Sequence, residues 1–158
     1  MRPLFNSVLI RFFMSILPIL HFPDARLRKI AVPVLVFDEQ LKKIAADMAE
    51  TMYDAPGVGL AATQVNVHLR LIVMDISETK DALLVLVNPE IIKSEGLIIG
   101  EEGCLSVPTF FAEVKRAEKV TFRYQDLDGK PHEIEATELL SVCIQHEIDH
   151  LNGKVFVD

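Results

Sequence analysis

Apolar positions recur along the chain with two different periods, and each change of period marks a new element. From Asp38 to Tyr53, Leu41, Ile44, Ala45, Met48 and Met52 fall on one helical face; Asp38 can cap the first turn, and Ala55-Pro56-Gly57 ends the pattern. Leu69 to Ile76 and Leu83 to Val87 are short runs of Leu, Ile and Val that predict strands, with Asn88-Pro89 as a breaker after the second. Val120, Phe122 and Tyr124 alternate with polar residues, Asp128-Gly129 marks a turn, and Glu133 to Thr137 supplies the return strand of a hairpin. Glu138 to Leu151 returns to a helical pattern. With no internal repeat or flexible linker, these elements predict a single α+β domain. In it, antiparallel strands wrap a central helix that carries the chemistry, and the Asp38 to Tyr53 helix packs outside.

Composition narrows the setting. A chain of 158 residues, 50% hydrophobic and 25% charged, can bury one well-developed core. A formal net charge of -7 disfavours the basic face that nucleic acid requires, so no nucleic-acid partner is expected. Only two cysteines, Cys104 and Cys143, are present, which suits a reducing compartment such as the cytoplasm better than a disulfide framework. The opening "MRPLFNSVLIRFFMSILPIL" is apolar with Arg2 and Arg11 and no acid, which raises an organellar transit sequence as the alternative. Arg11 and Pro18 interrupt that run, and it is too short to span a bilayer, so no membrane association is expected. Residues 1–13 are read as an extension of uncertain role and 14–158 as the catalytic domain.

The second helix holds the most informative residues. At about 100° per residue, Cys143, His146, Glu147 and His150 share one face, within "QHEIDHLNG". Two histidines four apart can bind one ion, and a carboxylate beside a ligand can take a proton from water on that ion and return it to a leaving group. The pattern is hydrolytic. It also lacks a ligand. Metzincin-type proteases place a third His three residues beyond the Gly, but Phe156 stands there, and no Glu or His follows His150. The third ligand is therefore expected upstream, from Cys104, Cys143, His21, His68, His132 or a carboxylate, with thiolate the strongest contender. Cys143 lies one turn before His146, and ligands at 143, 146 and 150 would span about 10 Å of helix. It fits a pocket wall or the core better. Cys104 lies in "GEEGCLSVP", where Gly103 permits a close backbone approach, and it becomes the favoured ligand.

Three segments together, "GVGLAATQ" (Gly57 to Gln64), "EGCLS" (Glu102 to Ser106) and "QHEIDHLNG" (Gln145 to Gly153), resemble the signature motifs of peptide deformylases, in order and at suitable separations. The similarity runs from about Ser15 through Phe156. It implies an enzyme that removes the N-formyl group from nascent peptides beginning with formylmethionine, releasing formate. It also implies one divalent metal ion, Fe(II) first, with Zn, Ni or Co as alternatives, held by Cys104, His146 and His150. Glu147 would be the proton carrier, and Gln64 with the backbone N–H of Leu105 would stabilise charge on the formyl oxygen. Val58 and Gly59 would pair with the substrate main chain, while Val58, Leu139, Val142 and Cys143 would surround the methionine side chain. Leu139 and Val142 also suit ordinary core packing. Asp149, Glu102 or backbone groups would orient the liganding histidines. Glu102 and Arg116 could form an ion pair bracing the cysteine segment, with a solvated surface pair as the alternative.

The sequence departs from the family pattern at Thr109-Phe110-Phe111, where many relatives have a Gly and then mixed residues, so contacts beyond the methionine are expected to differ. Many relatives also continue into a C-terminal helix that engages the ribosome. Read as ending at Asp158, this chain would have at most a transient ribosome association, and a monomer is expected. A metallopeptidase and a catalytically silent peptide-binding module are the alternative functions.

Overall fold

The computed structural model describes residues 15–158, so the extension read at 1–13 lies outside the described residues. After a 3₁₀ turn at Ala25–Arg28, the elements in chain order are α1 (Glu39–Asp54), β1 (Gly59–Ala61), a 3₁₀ turn (Ala62–Val65), β2 (Leu71–Met74), β3 (Leu84–Glu95), β4 (Ile98–Cys104), β5 (Val107–Arg116), β6 (Lys119–Gln125), β7 (Pro131–Thr137) and α2 (Glu138–Leu151). Five strands form one antiparallel sheet in the order β1-β2-β3-β6-β7, and β4 and β5 form a separate hairpin. The fold is the expected single-domain α+β arrangement.

The helices lie on opposite faces of the five-stranded sheet, and β2 shows why its sequence is a continuous apolar run. Leu71 and Val73 pack with Leu41, Ala45, Met48 and Met52 of α1. Ile72 and Met74 point the other way, to Ile144, Ile148 and Leu151 of α2. A strand buried on both faces has no polar alternation to offer. Met48, Met52 and Phe122 are fully buried, and truncating such a side chain to Ala typically costs about 2–5 kcal/mol. At the start of α1, the Asp38 carboxylate accepts from Leu41 N–H at 3.0 Å, the expected cap.

One expectation about the strands needs correction. Asn88-Pro89 does not end β3, which continues to Glu95. Asn88 adopts a left-handed φ of 51°, the β3–β6 register shifts between Val87 and Glu90, and the Asn88 side chain bonds Val34 N, Val34 O and Gln125 Oε1. The strand thus absorbs the proline as a bulge, with a side-chain amide supplying local hydrogen bonds. Residues 98–116 carry no strand prediction from the pattern of apolar positions. They form a ten-residue strand and its partner, mostly exposed on both faces, so no hydrophobic alternation announces them.

Candidate active site

Helix α2 is held between the sheet and the β4–β5 hairpin, and the residues meeting there are those of the three motifs. Gln145 fixes its lateral position: its Oε1 accepts from Ala117 N–H at 2.9 Å and its Nε2 donates to the Ala117 and Ser141 carbonyls, both at 2.9 Å. On the 3₁₀ turn, Thr63 Oγ1 donates to the His150 carbonyl at 3.1 Å. An extended N-terminal strap closes the third side, with Leu20 N–H on the Gln64 carbonyl and Phe22 N–H on the Ser106 carbonyl, both at 2.7 Å.

Within this frame Cys104 Sγ lies 3.2 Å from His150 Nε2, which lies 3.1 Å from His146 Nε2. Among the described residues, Cys104, His146 and His150 form the group of His, Cys or acidic side chains placed to share a metal ion. Metal–nitrogen bonds near 2.1 Å and a metal–sulfur bond near 2.3 Å would set tetrahedral ligand atoms roughly 3.4–3.6 Å apart. The two spacings at His150 are slightly tighter, all three atoms lie within 4.8 Å of one another, and a donor set of one thiolate and two imidazoles fits such an ion. The other candidates are elsewhere or differently engaged. His132 bonds Asp126, His68 bonds Asn66, and His21 stands at the rim of the cavity described below.

The tautomer of His146 is fixed by its neighbour. His146 Nδ1 donates to Glu102 Oε1 at 2.9 Å, which leaves Nε2 free to ligate. Glu102 is held in turn by Arg116, Nε to Oε2 at 2.8 Å and Nη2 to Oε1 at 2.9 Å, and Arg116 Nη1 reaches Asp149 Oδ2 at 2.6 Å. Glu102 and Arg116 are both buried, so the surface-pair alternative is excluded. Burial favours the neutral form of Glu102, but the hydrogen bonds from Arg116 and His146 outweigh it and hold the carboxyl at about 2. Burial likewise opposes charge on His146, yet bonds to Cys104 and Glu102 and the nearby Glu147 raise it to about 10. Burial and His146 push His150 down to about 3, so that imidazole stays neutral and able to ligate.

Glu147 lies on the same helical face, buried, with its Oε2 lacking a hydrogen-bond partner. Burial raises its carboxyl to about 7, despite the opposing charge of His146. An unpaired buried carboxylate oxygen is costly and is characteristic of a group kept for proton transfer. Its position depends on Gly59: a Cβ there would lie 2.8 Å from Glu147 Oε1 and 3.2 Å from Cγ. That requirement adds to the expected role of Gly59 in pairing with substrate.

Gln64 is completely buried. Its Oε1 accepts from Ala61 N–H at 2.9 Å, so Nε2 must face Ser106 Oγ, at 3.0 Å, and Cys104 Sγ, at 3.6 Å. Ser106, whose N–H also approaches Cys104 Sγ at 3.4 Å, and Gln145 carry positioning roles that sequence reasoning missed. Both lie inside recognised motifs, but nothing in a polar residue's sequence context tells which backbone group it will meet.

A cavity of about 640 Å³ opens beside these groups, and Val58, Gly59, Gln64, Cys104, Leu105, Leu139, Val142, Cys143, His146 and Glu147 all line it. His150 lies behind, 1% exposed. Burial pushes the Cys143 thiol up to about 12, which fits a pocket wall and not a ligand. The walls are predominantly apolar with a few polar groups among them, the arrangement of a small-ligand site.

Known proteins resemble this chain in sequence and fold. The profile of the polypeptide deformylase family matches residues 16–158. The chain is 59% identical to peptide deformylase 2 of Nitrosomonas europaea over 96% of this chain and 82% of that one. It is 58% identical to the peptide deformylase of Chromobacterium violaceum over 92% and 87%. Among solved structures, a peptide deformylase from Legionella pneumophila superposes with a TM-score of 0.89 at 58% identity, covering 91% of this chain and 85% of that one. A peptide deformylase from Synechococcus elongatus, in complex with actinonin, gives 0.87 at 41% identity, over 92% and 83%.

Proposed function

The chain belongs to the polypeptide deformylase family and is a hydrolase that removes the N-formyl group from nascent peptides, and we propose how its residues share that reaction. Cys104, His146 and His150 hold one divalent metal, Fe(II) first among Zn, Ni and Co. A bound ion of this kind acts as a Lewis acid and can bring the pKa of water from 15.7 to about 7. Glu147 accepts the proton of the attacking water and delivers it to the departing amine, so that formate and a free N-terminus result. As negative charge grows on the formyl oxygen, Gln64 Nε2 and the Leu105 backbone N–H donate to it. Each such donor is typically worth about 10²-fold to 10³-fold in rate. Val58 and Gly59 align the peptide main chain, and Val58, Leu139, Val142 and Cys143 enclose the methionine side chain.

The observation that carries this reading is the convergence of one sulfur and two imidazole nitrogens, with His150 Nε2 3.2 Å from Cys104 Sγ and 3.1 Å from His146 Nε2, beside a buried carboxylate that has an oxygen without a partner. Residues 14–158 are the catalytic domain in this reading, and the enzyme works as a monomer in the cytoplasm. No helix among the described residues is long and apolar enough to cross a membrane.

The test is purification without oxygen, quantification of bound metal, and formate release from formyl-Met-Ala-Ser by the wild type, Glu147→Ala and Cys104→Ser. The expected result is one bound ion and formate release in the wild type, metal without turnover in Glu147→Ala, and loss of metal in Cys104→Ser. Formate release that survives Glu147→Ala would overturn the assignment of the proton carrier. Cleavage at internal peptide bonds would favour a peptidase instead.

A further inference from the structure

The mouth of the cavity carries an aromatic ring that the reaction above does not use. Phe111, on β5, is 61% exposed and lines the cavity. Its ring rests on the backbone of Gly103, where a Cβ would lie 2.7 Å from Phe111 Cε1, so the glycine is what lets the ring seat there. The ring is therefore braced from below while much of it stays open to solvent. Alternation along β5 puts Thr109 and Phe111 on the cavity side. Phe110 turns to the other side, where its ring centroid lies 6.2 Å from that of Phe156.

A peptide with its formyl group beside Glu147 and its methionine against Val142 and Cys143 must lead its next residue outward past this rim. There it meets Phe111, with Pro108 and the acidic Glu101 lining the same cavity. We propose that Phe111 selects the side chain that follows the formylmethionine, favouring apolar and aromatic residues. The inference rests on the deformylase reading and concerns the stretch, Thr109-Phe110-Phe111, where contacts beyond the methionine are expected to differ. A braced, exposed aromatic face gains by covering apolar surface or another ring. Glu101 adds repulsion against an acidic side chain at the same place.

The experiment compares kcat/KM, by formate release, for formyl-Met-Phe-Ser, formyl-Met-Ala-Ser and formyl-Met-Asp-Ser. A single apolar contact of this size discriminates by roughly 10-fold. The wild type should therefore prefer Phe over Ala by about 10-fold, with Asp the poorest. Phe111→Ala should cut the Phe-to-Ala ratio to about 2-fold or less, chiefly through KM, and Phe111→Leu should give an intermediate ratio. Phe110→Ala should leave the ratio near its wild-type value. A wild-type ratio within about 2-fold, an unchanged ratio in Phe111→Ala, or an equal fall in Phe110→Ala would overturn the proposal. No formate from any of the three peptides would instead overturn the deformylase reading on which it rests.

Discussion

Gly59→Ala should separate catalysis from folding. The added Cβ would stand 2.8 Å from Glu147 Oε1, 3.1 Å from Cδ and 3.2 Å from Cγ, whereas ordinary contact begins at 3.4 Å. Rotating the carboxylate cannot relieve the contacts at Cγ and Cδ, so the stem of the side chain must give by about 0.2–0.3 Å and Oε1 must move by about 0.6 Å, in a buried setting where few neighbours can yield. Gly59 lies in β1 without a positive φ, so Ala fits the backbone. The backbone gain of about 0.4–1 kcal/mol partly offsets an overpacking cost of about 1–3 kcal/mol. The net loss of roughly 1–2 kcal/mol should lower Tm by about 2–8 °C. Misplacing a catalytic group by about 1 Å can cost on the order of 10²-fold. A shift of about 0.6 Å therefore predicts a fall in kcat of about 10-fold to 100-fold, or about 1.4–2.7 kcal/mol of transition-state stabilisation. The measurement is saturating formate release, together with thermal melting and metal content. A double-mutant cycle with Glu147→Gln isolates the cause, because Gly59→Ala should add almost nothing once the carboxylate is gone. Wild-type kcat in Gly59→Ala, or a full additive loss on top of Glu147→Gln, would refute the coupling.

Three further outcomes follow from the same geometry. Arg116→Met leaves buried Glu102 without its guanidinium; it should destabilise the protein by about 3–5 kcal/mol and weaken metal binding by about 10-fold to 100-fold, checked by denaturant melts and chelator competition. Glu102 is held at about 2, below its ordinary 4.5, so its contribution to stability is present above pH 4.5 and is lost as pH falls toward 2; acid titration should show this limb in the wild type and a weaker one in Arg116→Met. Thr109 holds a left-handed φ of 64°, unfavourable for a β-branched residue, so Thr109→Gly should raise Tm by about 1–4 °C in calorimetry.

The relation between sequence and site can be followed residue by residue. The period of α2 alone brings Cys143, His146, Glu147 and His150 to one face, because a helix's geometry is local and its side-chain spacing fixed. Cys104 was found by motif and by the chemistry of thiolate, although 42 positions separate it from His146. The pairing of Glu102 with Arg116 is legible in the sequence only as opposite charge. Its burial, and the link from Glu102 to His146 Nδ1, depend on the register of the β4–β5 hairpin, where Glu102 pairs with Ala112. That hairpin left no apolar alternation in the sequence because most of it faces water. Asn88-Pro89 misled for a related reason: whether such a pair ends a strand or bulges it depends on partners at Val34 and Gln125.

By itself, the sequence determined the α+β class, the helix that carries two histidines and a glutamate, and the motifs that identify the chemistry. These rest on short-range periodicity and on residue types that few other functions require. Only the tertiary structure decided that Gly59 makes room for Glu147, that Gln64 is locked by Ala61 and turned toward Cys104, and that Phe111 lies on Gly103 at the cavity mouth. Each is a contact between distant segments at a separation of a few ångströms. Such contacts are set by how strands register and helices dock, which local pattern does not encode.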